Sequence, residues 1–77
     1  MFNPVRYITN NNFKLIYTTN TLDIVNYEKI NYMEDNKISL SIENQTIVIN
    51  GKDLRVKKML DDEIMIVGSI LTIEFKK

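Results

Sequence analysis

The stretch KISLSIENQTIVINGKDLRV, residues 37–56, decides the fold class. Ile38, Leu40 and Ile42 alternate with Ser39 and Ser41. That period of two puts the apolar side chains on one face of a strand and the hydroxyls on the other. Ile47 and Ile49 flank Val48 in a second run, and Leu54 and Val56 alternate with Asp53, Arg55 and Lys57 in a third. Asn50-Gly51 lies between the second and third runs. Both residues tolerate positive φ, so the pair predicts a type I′ hairpin turn.

The same period extends in both directions. Downstream, Asp61-Asp62 marks a break, and Ile64, Ile66, Ile70, Ile73 and Phe75 follow. The phase slips on the way, from even-numbered Ile64 and Ile66 to odd-numbered Ile73 and Phe75. Gly68 is the natural place for a bulge or bend that absorbs one extra residue, and a turn at Gly68-Ser69 joining two strands would serve equally. Upstream, residues 5–8 are expected to pair with 13–17 across Asn10-Asn11-Asn12. Thr18-Thr19-Asn20 and Glu34-Asp35-Asn36 carry turn chemistry, and Leu22 with Ile24 and Ile30 with Tyr32 alternate between them. Pro4, the one proline, precedes the first run, where it removes no ladder hydrogen bond. Residues 53–66 have loose helical spacing at Leu54, Met59 and Leu60, but their β-branched content argues for strand. The expectation is an all-β chain, a single small antiparallel meander folded as a roll, barrel or sandwich. It forms one domain over 1–77, with 1–20 as an N-terminal extension or hairpin and 21–77 as the core.

Composition agrees and sets limits. The chain has 77 residues and no alanine, the best helix former, while isoleucine is abundant. A domain this small buries only about 60% of the surface its unfolded chain exposes, and such domains often lean on disulfides, a metal or a partner. Cysteine and histidine are both absent, which removes disulfides and the usual zinc sites and leaves self-association or docking. Ten basic and ten acidic residues balance. A neutral domain has no general pull on a phosphate backbone, which argues against nucleic acid as a partner. No apolar run approaches the roughly 20 residues of a membrane helix, and the start Met-Phe-Asn-Pro-Val-Arg lacks a signal-peptide core. A cytoplasmic setting is expected.

The search for chemistry returns few candidates. Without histidine there is no easy general base near neutral pH, and without cysteine no thiol nucleophile. Two glycines cannot build a phosphate-cradling loop, and no motif activates Ser39, Ser41 or Ser69. Asp61-Asp62-Glu63 reads as an acidic turn rather than a site for a hard cation, since consecutive strand residues point to opposite faces. Lys57-Lys58 and Lys76-Lys77 suit edge protection. Tyr7, Tyr17, Tyr27 and Tyr32 would stack on single-stranded nucleic acid only beside a basic groove, and the neutral charge favours core or interface roles. Asn44-Gln45-Thr46 matches a glycosylation sequon that carries no meaning without secretion. No enzyme, cofactor or metal is expected. The alternative to a protein-binding module is a small β-barrel that binds nucleic acid.

Met65 and Val67 stand out, because they are apolar on the face opposite Ile64 and Ile66. A strand apolar on both faces is buried on both. Either the rest of this chain covers the second face or a partner does, and the two residues are the candidate interface.

The region from Leu22 to Phe75 resembles the YabP/YqfC family of sporulation proteins. Leu22-x-Ile24-x-Asn26-Tyr27 stands for the family's opening strand. Ile47-x-Ile49-x-Gly51-x-x-Leu54-x-Val56 is similar to its most recognisable stretch, and Glu63-Ile64-x-Ile66-x-Gly68-x-Ile70-x-x-Ile73-x-Phe75 to its ending. Where the family commonly has a glycine in the turn before the first stretch, this chain has Glu43-Asn44-Gln45. The resemblance implies a role in endospore formation in the bacterial cytoplasm, no catalytic residues, and a membrane-associated companion protein; a homo-oligomer is the expectation that the small core adds.

Overall fold

The computed structural model describes residues 13–77. Six strands form one antiparallel sheet: β1 (Lys14–Thr18), β2 (Thr21–Val25), β3 (Lys29–Glu34), β4 (Lys37–Ile42), β5 (Gln45–Met59) and β6 (Glu63–Lys76). Their order across the sheet is β1-β2-β6-β5-β4-β3. The expected all-β antiparallel class holds, and 53–66 is strand, turn and strand with no helix.

Two long strands organise the molecule. β5 and β6 pair along their whole length, and each also belongs to one half of the sheet. The first part of β5 pairs with the β3–β4 hairpin, and the first part of β6 with the β1–β2 hairpin. Bulges bend both strands between these halves. Gly51 lies opposite Ile70 and Asn50 opposite Thr72, so Leu71 is the extra residue on β6. Lys52 lies opposite Ser69 and Arg55 opposite Val67, so β5 spends Asp53 and Leu54 against Gly68. Each bulge adds local twist, and the sheet rolls over its own inward face.

That inward face is the core. Leu22, Ile24, Leu54, Ile64 and Ile66 from one half and Ile38, Leu40, Ile42, Ile47 and Ile49 from the other form one buried cluster. Phe13, Tyr27, Val56, Ile70 and Ile73 pack around it. The Phe13 and Phe75 rings, 6.1 Å apart and tilted at 58°, join the start of the described chain to the end of β6. That separation lies within the favourable range for aromatic pairs.

The two halves are near copies of each other. Asn50 pairs with Lys37, and the next residue, Gly51, donates its N–H to Asn36 O in the β3–β4 turn at 3.1 Å. Val67 pairs with Thr21, and the next residue, Gly68, donates its N–H to Asn20 O in the β1–β2 turn at 3.2 Å. The sequence carries the repeat openly as I-x-I-x-G-x-x-L-x-(V/I), at 47–56 and again at 64–73.

Several expectations change. Asn50-Gly51 is not a hairpin turn, because β5 continues through it. Asn50 donates from Nδ2 to Thr72 Oγ1 at 3.0 Å across the ladder. Gly51 is required for another reason: a Cβ there would stand 2.1 Å from Ser69 O. Positive φ falls instead at Asn20 (61°), Asn26 (66°), Glu43 (39°) and Asp53 (55°). Gly68 does mark the bend rather than a turn between separate strands. Its φ is 133°, and an added Cβ would meet Asp53 O at 2.5 Å. The turn before β5 has two residues, Glu43 and Asn44, with Glu43 taking the left-handed backbone. Strand β1 pairs with β2 across Thr19-Asn20, whereas residues 5–8 lie outside the described residues.

Candidate interaction surface

Register fixes what the outward face carries. In the half built on β2 and β6, Ile16, Asp23, Met65 and Lys58 lie opposite one another in a single row across four strands. The next row runs Thr18, Thr21, Val67 and Arg55, and Lys14, Val25 and Glu63 form the row on the other side. Directly opposed residues share a face, and these alternate with the inward Leu22, Ile24, Ile64 and Ile66. The two candidate interface residues therefore both point outward from a central strand.

No second layer covers them among the described residues. Met65 and Val67 are half-buried by their own neighbours, and Ile16 in the same row is 45% exposed. Met65 and Val67 thus form an apolar pair on β6, and Ile16 lies on the same face two strands away, with Asp23 of β2 between it and Met65. Arg55 and Lys58 border the pair on the β5 side, and Glu63 lies one outward position before Met65 on β6.

The carboxyl pair has its own electrostatics. Glu63 is pushed above the usual carboxylate range, first by a hydrogen bond with the Asp23 carboxyl, then by desolvation and the Asp23 charge, with Lys58 opposing. Asp23 Oδ1 is shielded from water and has no hydrogen-bond partner among the described residues. Two like charges held together disfavour joint ionisation. Any segment bringing a cation or an N–H to this point would relieve both groups.

The equivalent face of the other half is different in kind. Lys37, Ser39, Ser41 and Asn50 occupy the positions that Thr21, Asp23, Val25 and Val67 hold in the first half. Val48 matches Met65 and is only 6% exposed although it faces outward. It floors a shallow groove of about 520 Å³ bordered by Tyr32, Lys37, Thr46 and Lys76. Glu74, opposite Val48, lies 3.8 Å from the Lys76 ammonium. Tyr32 is raised above the usual tyrosine value, chiefly by a hydrogen bond to Glu34.

Tyr17, Tyr27 and Tyr32 are dispersed over the sheet, and Tyr7 lies outside the described residues. Tyr17 belongs to β1 and Tyr32 to β3. Tyr27, in the β2–β3 connection, donates its hydroxyl to Leu60 O at 3.1 Å. Ile16 was invisible as a member of this face, since only the β1–β2–β6 register puts it in one row with Asp23 and Met65. The internal repeat was legible in the sequence and is the signal that would have set Gly51 and Gly68 in equivalent roles.

Among the described residues these features define a β protein without helix, one rolled sheet with a polar outward face on one half and apolar side chains at Ile16, Met65 and Val67 on the other. The chain belongs to the YabP family, whose model matches residues 9–77 and so begins upstream of the region in which the resemblance was read. Membership places it among sporulation-associated proteins. No curated protein and no solved structure is detectably similar to it. No helix among the described residues is long and apolar enough to cross a membrane.

Proposed function

We propose that this chain is a non-catalytic protein of endospore formation that binds a protein partner through its outward sheet face, with Met65 and Val67 at the centre. The observation that carries this reading is the apolar pair Met65 and Val67, with no second layer over it among the described residues and Ile16 on the same outward face beyond Asp23, on the half whose opposite face is committed to the core. Apolar side chains lined up on an outward face mark interaction sites more often than scattered ones do. The balanced mixture of cations and carboxyls around the pair fits a protein partner better than a polyanion. The partner is a companion in the sporulating cell, membrane-associated or soluble, and the protein acts from the cytoplasm.

Deletion of the gene tests the cellular role. Heat-resistant spores are counted against vegetative growth. Loss of spores with normal growth is expected. Normal spore numbers would remove the support for a role in sporulation, and binding of single-stranded nucleic acid with a steep salt dependence would favour the alternative module.

A further inference from the structure

The two bent strands leave two matching edges, and they differ sharply. Past the bend, residues 55–59 of β5 pair with β6 on one side and with nothing on the other among the described residues. Residues 69–76 of β6 are the counterpart, paired with β5 on one side and open on the other among the described residues. The β5 edge carries Arg55, Lys57 and Lys58 in five positions. Cations of this kind discourage strand addition. The β6 edge carries Ile70, Leu71, Ile73 and Phe75, and no charge before Glu74. Leu71, at 63%, and Phe75, at 52%, are the two most exposed large apolar residues on that strand.

We infer that the 69–76 edge of β6 is a homodimer interface, in which the same edge of a second copy adds antiparallel about a two-fold axis through Ile73. The occupant follows from self-complementarity. With Ile73 on the axis, Leu71 of each copy comes opposite Phe75 of the other, so each exposed apolar residue is covered by another, twice. Thr72 faces Glu74, so no like charges meet, and the bulge at Leu71 ends the regular pairing there. Shifting the axis to Glu74 would set the two Glu74 carboxylates against each other, which is unfavourable for directly opposed residues. An antiparallel strand meeting its own copy closes the symmetry at two, which makes a finite dimer rather than a fibre. This edge is separate from the outward face proposed above to bind the companion protein.

Sedimentation equilibrium on the purified full chain across a concentration series tests the inference. The wild type is expected as a monomer–dimer equilibrium with no larger species. Leu71→Lys, at an exposed site that leaves the core untouched, is expected to raise the dimer Kd about tenfold or more. Leu60→Lys, equally surface-placed at the β5–β6 turn, and Met65→Asp, on the outward face, are expected to leave it unchanged. Circular dichroism verifies that each variant is folded. A monomeric wild type, open-ended assembly, or a Leu71→Lys protein that dimerises as tightly as wild type would overturn the inference. A Met65→Asp protein that alone loses the dimer would move the contact to the outward face and overturn it as well.

Discussion

Gly51 and Asp53 hold the bend, each for a distinct reason. Gly51 is required by proximity, since its missing Cβ leaves room for the Ser69 carbonyl. Gly51→Ala is therefore expected to lower unfolding stability by about 2–3 kcal/mol, as overpacking of tight sites does, read from urea midpoints. A tolerated alanine would contradict the close approach. Asp53 sits in the left-handed region, where a non-glycine backbone is strained. Asp53→Gly is expected to be neutral or to add up to about 1 kcal/mol, and a large loss would mean its side chain holds the bulge. Glu63 supplies a pH signal. Its folded pKa is raised, so the folded state binds more protons than the unfolded state between the unperturbed value and the raised one. Stability accordingly falls as pH rises through that window. Glu63→Gln is expected to flatten this part of the pH–stability profile. An unchanged slope would place the titration elsewhere.

At the scale of elements, the runs of alternating isoleucine were legible because one face of each strand is core, and a period of two has no other physical origin in so short a chain. The breaks were harder to read. Asn50-Gly51 has the composition of a hairpin turn, yet the ladder continues because Ile49 and Leu54 must both reach the core while the glycine lets β6 approach. Turn chemistry and close approach select the same residue, and sequence alone does not separate them. The slip of phase between Ile66 and Ile73 left a bulge and a turn at Gly68 equally open, and the structure has a bulge in a continuous strand. Register then assigned it to Leu71. Both hairpin tips are tied to the bend, with Asp35 O accepting from Leu54 N at 2.7 Å beside the Asn36–Gly51 bond. Amide exchange is accordingly expected to be slowest at the centre of the β5–β6 ladder and fastest in β1, an edge strand with four exposed residues of five. Uniform protection across all six strands would contradict a sheet organised on β5 and β6.

For the molecule as a whole, a repeated unit gives two halves with one shared interior and two unlike exteriors. The interior was readable, since Ile38, Leu40, Ile47, Ile49, Ile64 and Ile66 all fall where alternation put them. Of the surface, Met65 and Val67 could be singled out, because an apolar residue on the wrong face of a strand is visible without coordinates. Ile16 and the carboxyl pair could not, since they depend on which strand lies beside β6. A single rolled sheet of this size has a limited interior, and Leu54→Ala at its bend is expected to cost about 2–5 kcal/mol, a large share of the stability of a small domain. Outward positions bear no such cost, which is what separates surface from core in the decisive test. Heat-resistant spores are counted in a strain lacking the gene and supplied with the wild type or with Met65→Asp, each shown to accumulate and to unfold at a similar temperature. The account predicts that the wild type restores spores and the folded Met65→Asp protein does not. Full restoration by Met65→Asp would contradict the claim that this face does the protein's work.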